Sequence, residues 1–209
     1  FAEYYDPQNL EFGNVRVFND DTIAPHSGFS EHDHDNMEIV TIVHEGMLTH
    51  RDSMGSVGAI RAGEVQYMSA GTGVTHAEMN DGDAPVHLYQ IWLYPNTKNA
   101  APRYEQKQFL NAPKNELVPL ASGEGKTGAI AIRSDATVYC AEIDGGKTVA
   151  IALGQGRGLF VYVQEGRVSI GGTDFAVGDQ ARIEGESAVV VNGMLSPISF
   201  RNTPISPLR

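Results

Sequence analysis

Apolar residues in this chain fall into short runs of about four to eight positions, many of them alternating with polar ones, and glycines separate the runs. EIVTIV from Glu38, MLTHRDS from Met47, GSVGAI from Gly55, AGEVQYMSAGTG from Ala62 and HLYQIWLYP from His87 follow one another at similar spacing. Each is rich in β-branched or aromatic side chains, which fit a pleated, half-buried surface. No window over this half keeps a 3.6-residue period. The pattern predicts an all-β fold, an antiparallel sandwich or barrel. Upstream, Val15, Val17 and Phe18 predict a short strand, and DDTIAPHSG reads as a loop that leaves His26 in solvent. The polar stretch from Asn96 to Pro113, in a region with Pro95, Pro102 and Pro113, predicts a partly irregular connection containing a short helix.

The second half repeats the first. Val43, His44, Glu45 and Gly46 answer to Val163, Gln164, Glu165 and Gly166, and Ala62, Gly63, Glu64 and Val65 answer to Val177, Gly178, Asp179 and Gln180. Similar turns in the same order predict a duplicated β domain. The hairpin between the matched glycines is five residues shorter in the second copy (166 to 178 against 46 to 63). Carrying the first offset back puts Gly154 where His34 stands. The second copy therefore keeps the scaffold and lacks the histidines: all seven lie between His26 and His87.

Within that interval His32 and His34 are two apart, and so are His76 and Glu78. On strands, residues two apart project from one face, so each pair can offer two donors to one point. Three imidazoles and a carboxylate make a site for a divalent transition metal. Glu38, four after His34, is a rival carboxylate on the same reasoning. His44 and His50 flank a turn and read as exposed hairpin residues, while His87 shares alternation with Tyr89 and Ile91 and reads as core. Met37, Met47, Met54, Met68 and Met79 cluster around these stretches, as adaptable core filling or as the apolar wall of a pocket. GEGKT at Gly123 lacks the first glycine of a phosphate loop and reads as a turn. Ser53 and Ser69 lack the setting of a hydrolytic nucleophile.

Charge narrows the partners. With 15 Lys and Arg against 26 Asp and Glu, the net charge of -11 argues against nucleic acid or an anionic membrane. A lone Cys140 and no apolar run of about 20 residues predict a cytoplasmic protein without disulfides or a membrane span. The chain opens at Phe1, from which a further N-terminal segment is expected.

At HDHDNMEIV, HEGMLTHRDSMG, AGEVQYMSAGTGVTHAEMN and HLYQIWLYP the sequence resembles the pirin family of the cupin superfamily, most closely its bacterial pirin-like quercetin 2,3-dioxygenases. The resemblance covers almost the whole chain and is strongest from Phe1 to Phe109; FAEYYDP resembles a piece that members carry after an upstream segment. It implies a bicupin, two tandem antiparallel β-sandwich or jelly-roll barrels, with an N-terminal metal-binding domain over residues 1–110 and a metal-free one over 111–209. It further implies His32, His34, His76 and Glu78 as metal ligands, which would leave Glu38 beside the site. The ion implied is iron first, with zinc, manganese, cobalt, nickel and copper as alternatives. The implied reaction is opening of the heterocycle of a flavonol such as quercetin by dioxygen, in a monomer, with Glu78 serving also as base. The family's other implied role is a non-catalytic metal-binding regulator of transcription or of metabolic partner proteins.

Overall fold

The short runs fold as strands throughout. The structure, a computed structural model, describes residues 11–109 and 112–194, and among these there are 18 strands and no helix. FAEYYDP lies outside the described residues. The chain divides into two compact units: the first runs to Pro113 and takes in Leu117–Cys140, and the second holds Lys114–Glu116 and what is described from Ala141 onward.

The first unit contains β1 (Val15–Ile23), β2 (Ser27–His34), β3 (Glu38–Glu45), β4 (Met47–Asp52), β5 (Val57–Arg61), β6 (Glu64–Ser69), β7 (Val74–Asn80), β8 (Val86–Leu93), β9 (Arg103–Gln108), β10 (Val118–Ser122), β11 (Ile130–Ala131) and β12 (Thr137–Cys140). They form one sheet in the order β1-β8-β3-β6-β9, a facing sheet in the order β2-β7-β4-β5, and a small sheet β11-β10-β12. All pairs are antiparallel except the short β10–β11 pair. The first of these sheets is buried on both faces. Ile23, Val43, Leu48, Ile60, Val86 and Leu88 fill the space between the two large sheets. On the opposite face Val40, Tyr67, Ile91 and Leu93 pack with Leu120, Ile130 and Ile132. Two covered faces explain why EIVTIV is apolar almost without interruption. Each fully buried Leu or Ile contributes about 1.5–3 kcal/mol, so this unit has a core that does not depend on an ion.

Burial of Leu120, Ala121, Ile130 and Ile132 in that cluster also explains why Leu117–Cys140 belongs with the first unit. The division expected at residues 110 and 111 therefore does not coincide with the compact units. Among the described residues between 96 and 113 there is no helix; Arg103–Gln108 is instead the edge strand β9 on β6. Its sequence RYEQKQ is the polar, charged type that protects a sheet edge. DDTIAPHSG is less loop than expected, since Asp20–Ile23 completes β1 and Ser27 opens β2. His26 is exposed in the turn between them, 3.1 Å from Asp83. The Asn80 amide donates to the carbonyls of Ile23, Ala24 and Ala84 and so fixes that turn.

The second unit contains β13 (Thr148–Ala152), β14 (Leu159–Tyr162), β15 (Arg167–Ile170), β16 (Thr173–Ala176), β17 (Gln180–Ile183) and β18 (Ala188–Gly193), in sheets β13-β18-β15-β16 and β14-β17. Its duplication from the first unit is visible in the registers. Ile42 pairs with Val65 and Tyr162 with Gln180; Met47 pairs with Arg61 and Arg167 with Ala176. The turn hydrogen bond from Gly63 N to Val43 O recurs from Gly178 N to Val163 O. A carboxylate closes both hairpins alike, Glu64 accepting from Arg61 N and Asp179 from Ala176 N, each at 2.7 Å. Glycines 171 and 172 make the shorter turn.

Glu38 does not stand beside the histidines. Asn36, at φ 45°, turns the chain out of β2, and β3 begins in the other sheet, so counting by twos from His34 no longer applies. The Glu38 carboxylate, 1% exposed, points to the face with Val40 and accepts from Tyr67 Oη, Ser69 Oγ (2.7 Å) and Arg133 N (3.2 Å). Burial first, and Glu38 next, push the Tyr67 hydroxyl well above its usual range, so it stays a donor. Glu38→Ala would take the acceptor from two buried hydroxyls, those of Tyr67 and Ser69, at about 1–3 kcal/mol for each one left unpaired, while Arg133 N keeps Tyr67 Oη at 3.3 Å. The expected result is a loss of at least about 2 kcal/mol in chemical denaturation with metal content per folded chain unchanged; loss of metal with full stability would restore Glu38 to the site.

Candidate metal centre

The histidine pairs meet because of the way β2 lies on β7. Ser27, Gly28 and Phe29 pair with Asn80, Met79 and Glu78, then one extra residue is accommodated in β2, and His32, Asp33 and His34 pair with His76, Thr75 and Val74. This β-bulge brings His32 directly opposite His76. Gly28 permits the close approach, since at φ 153° a Cβ there would lie 2.3 Å from Glu78 O. On the other side of β7, β4 places His50 opposite Glu78 and Asp52 opposite His76. Three neighbouring strands thus carry His32, His34, His50, Asp52, His76 and Glu78 toward one interior.

His32, His34 and His76 have ligand atoms within 4.8 Å of one another. The Nε2 atoms of His32 and His76 are 3.1 Å apart, and His34 stacks edge-on against Trp92 at 4.8 Å. His32 Nδ1 donates to Ser30 O at 2.8 Å, within the bulge, which leaves Nε2 as the lone-pair donor facing inward. His50, His76 and Glu78 form a second such group, also within 4.8 Å and sharing His76. The structure therefore brings the three predicted imidazoles together, and places Glu78 one step deeper.

Glu78 is 2% exposed, and each of its oxygens accepts an amide at 2.7 Å, Oε1 from Gln66 and Oε2 from Gln90. Gln90 is itself held by Trp92, whose indole donates to Oε1 at 2.9 Å. Among the described residues the only basic side chain within 4.0 Å of this carboxylate is His50. A buried carboxylate between two neutral amides is short of positive charge, and a divalent ion would supply it. The oxygens keep lone pairs for that purpose. The donors thus fit a first-row transition ion.

His50 was expected in solvent and is fully buried. It stacks on Tyr104 at 4.7 Å, and its Nε2 donates to Asp52 Oδ2 at 3.1 Å. Asp52 in turn accepts from Met54 N and Ser56 N. Burial raises the Asp52 carboxyl, but hydrogen bonds from His50 and Ser56 outweigh it and hold the group below its usual range. His87, expected in the core, sits at the end of β8, pairs with Asp20 at 2.6 Å and keeps 27% of its side chain exposed. His44 packs edge-on against it, away from the centre.

A cavity of about 310 Å³ opens beside the histidines, lined by Phe29, Trp92, Ser30, His32, Glu78 and Gln90. That is at the lower end of the range for small-molecule sites, about 300–1,000 Å³. Its apolar walls are Phe29 and Trp92, not the methionines; Met37 and Met68 are core residues next to Ile39 and Val74.

The same register positions in the second unit are apolar. β13 pairs with β18 without a bulge, so Val149 faces Val191 and Ile151 faces Val189, where Phe29 faces Glu78 and His32 faces His76. Ile170 pairs with Val191 as His50 pairs with Glu78. Leu153 N bonds to Ser187 O, which makes Leu153 the counterpart of His34 rather than Gly154. Ile170, Val189 and Val191 are buried at the centre of the second unit's core, and Ile151 and Leu153 pack against them.

Comparison with known proteins agrees with this architecture. Residues 1–93 match the Pirin family profile, and residues 119–194 match the profile described as quercetinase C-terminal cupin domain. A pirin-like protein of Caulobacter vibrioides is 39% identical over 196 residues, covering 93% of this chain and 84% of the relative. The chain belongs to the pirin family. Its fold is accordingly a bicupin. An Escherichia coli relative named quercetin 2,3-dioxygenase is 37% identical over 193 residues, 92% of this chain and 83% of its own length; other bacterial pirins carry that name provisionally. Among solved structures, the bacterial pirin YhhW from Escherichia coli in complex with nickel(II) superimposes with a TM-score of 0.88 at 34% identity, covering 94% of this chain and 84% of that one.

Burial first, and the neighbouring His32 next, lower the ring of His34 to about 4 and that of His76 to about 3. The unfolded chain takes up protons near 6.5, where these folded rings remain neutral. Stability of the metal-free pirin is therefore full above that pH and is lost as pH falls toward 4. Urea midpoints of chelator-treated protein at pH 7.5, 6 and 5 should decline in that order; a flat profile would contradict the burial of these rings as neutral donors.

Proposed function

We propose that His32, His34, His76 and Glu78 hold one divalent transition ion, and that the protein is a dioxygenase opening the heterocycle of a flavonol. The reading is carried by three converging imidazoles and a buried carboxylate at the wall of a cavity whose apolar sides are Phe29 and Trp92. Relatives named quercetin 2,3-dioxygenase and the nickel(II) complex of YhhW support it. Three nitrogens and one oxygen accept any of the ions from manganese to zinc, so availability selects among them; iron is the expectation from the family.

When bound, the ion supplies Lewis acidity toward a substrate hydroxyl and a partner for dioxygen. The chain supplies the rest. Phe29 and Trp92 hold a flat aromatic substrate against the histidines and exclude water from it. Glu78, lining the same cavity, accepts the proton of the flavonol 3-hydroxyl, and the Gln66 and Gln90 amides keep its carboxylate aimed while it does so. Dioxygen then opens the ring with release of carbon monoxide.

Wild-type protein loaded in turn with iron, nickel, cobalt, manganese, copper and zinc should consume oxygen on quercetin with at least one of them. Glu78→Gln keeps an oxygen donor of similar size and loses basicity, so the loaded variant should turn over at least about a hundredfold more slowly. Unchanged activity would remove Glu78 as base, and an inactive wild type with every ion would favour the metal-binding regulator. The ion should bind once per chain and be lost in His76→Ala protein, whose strands stay folded on their own core. A full equivalent retained in that variant, measured by elemental analysis after dialysis, would overturn the ligand set.

A further inference from the structure

We infer that His50 is a further metal donor, which forms with His76 and Glu78 an inner, fully buried position for the ion next to the outer three-imidazole one. This rests on the ligand set just proposed and extends it. His50, His76 and Glu78 are 0%, 2% and 2% exposed, and their ligand atoms lie within 4.8 Å of one another.

The chemistry of His50 is set by Asp52. In the neutral ring, Nε2 donates to the Asp52 carboxylate, which leaves Nδ1 as a lone pair with no hydrogen. That Nδ1 is buried, has no hydrogen-bond partner, and stands 4.0 Å from Glu78 Oε1. Two acceptors face each other with nothing to donate between them. Two donors each about 2.1 Å from an ion can be at most about 4.2 Å apart, so this pair can share one. His76 Nδ1 is also buried without a partner. A metal-binding histidine whose other nitrogen is held by a carboxylate is the usual arrangement at such centres, since the carboxylate fixes the tautomer and strengthens the donor.

The second unit gives an independent reason. The counterparts of His32, His34, His76 and Glu78 are Ile151, Leu153, Val189 and Val191, and the counterpart of His50 is Ile170 in the same apolar cluster. His50 is the fifth member of a set that is polar in one unit and wholly apolar in the other. The inner and outer positions share His76, whose neutral ring has a single lone pair to give, so they are alternatives for a single ion. The inner donor set, two nitrogens and one oxygen, suits the same divalent first-row metals.

The test uses the full chain with both outer donors removed, His32→Ala/His34→Ala, and nickel(II) as probe. One nickel per chain should still bind, more weakly than in wild type by more than the roughly 10–100-fold that changes around the ligands cost. X-ray absorption should count two imidazoles on it. Adding His76→Ala to the double variant sets the background from the histidines outside both groups, His26, His44 and His87. Adding His50→Gln, which keeps an amide to donate to Asp52, should reduce binding to that background. No binding above background in the double variant, or a single imidazole on its nickel, overturns the inner position while leaving the four-ligand site intact; absence of nickel from wild type overturns both.

Discussion

The pairing of β2 with β7 is the constraint on which the centre depends. Side chains alternate faces along a strand, so a one-residue slip would turn His32 and His34 to solvent and Glu31 and Asp33 inward. The bulge between Phe29 and His32 sets the register that faces His32 with His76. It relies on Gly28, on the Asn80 amide that fixes the turn ahead of β2, and on Thr75, whose hydroxyl donates to Asp33 at 2.5 Å on the outer face. Packing below and above the site does the remaining work. Phe29 packs on the Leu48 and Ile60 cluster, and Trp92 on the Ile39 and Met68 cluster, so the polar centre is bracketed by two apolar layers.

Much of this was legible in the sequence because strands have a period of two. The spacing of His32 with His34 and of His76 with Glu78 needs only that each segment be a strand. The duplication was legible because turns are punctuated by glycine, and Gly46, Gly63, Gly166 and Gly178 all take positive φ. What spacing cannot supply is sheet order. His50 lies opposite Glu78 only because β4 is the neighbour of β7, and next to a turn it looked like a surface residue. Glu38 failed for the converse reason: the three residues from Asp35 to Met37 carry the chain into the other sheet. β9 was hidden because an edge strand is polar and prolines flanked it. The Gly154 assignment failed in the connection after the strand: His34 stands 12 residues before Gly46 and Leu153 stands 13 before Gly166, so the second unit has one more residue there.

The two amides on Glu78 were not foreseeable either. Gln66 on β6 and Gln90 on β8 belong to the sheet opposite Glu78, and each reaches across the interior to one oxygen. They join the two sheets at the point where the apolar core is interrupted. Each is a neutral donor, so together they orient the carboxylate without cancelling its charge. An arginine in either place would pair with Glu78 and compete with any cation for it. The choice of glutamine therefore keeps the carboxylate available, and it does so at the cost of leaving Gln66 Oε1 buried without a partner.

The second unit states the cost of the first unit's arrangement. Ile151, Leu153, Ile170, Val189 and Val191 occupy the five register positions with side chains that need no partners. Ile170, Val189 and Val191, the buried ones among them, each contribute about 1.5–3 kcal/mol, whereas the imidazoles of His34 and His76 are buried at the expense of their charged form. A chain selected for stability alone would fill both units alike. That one copy keeps five polar groups, a bulge and a five-residue-longer hairpin whose strands and tip carry His50 and Asp52, while the other has none of these, argues that the polar copy is maintained by what it binds.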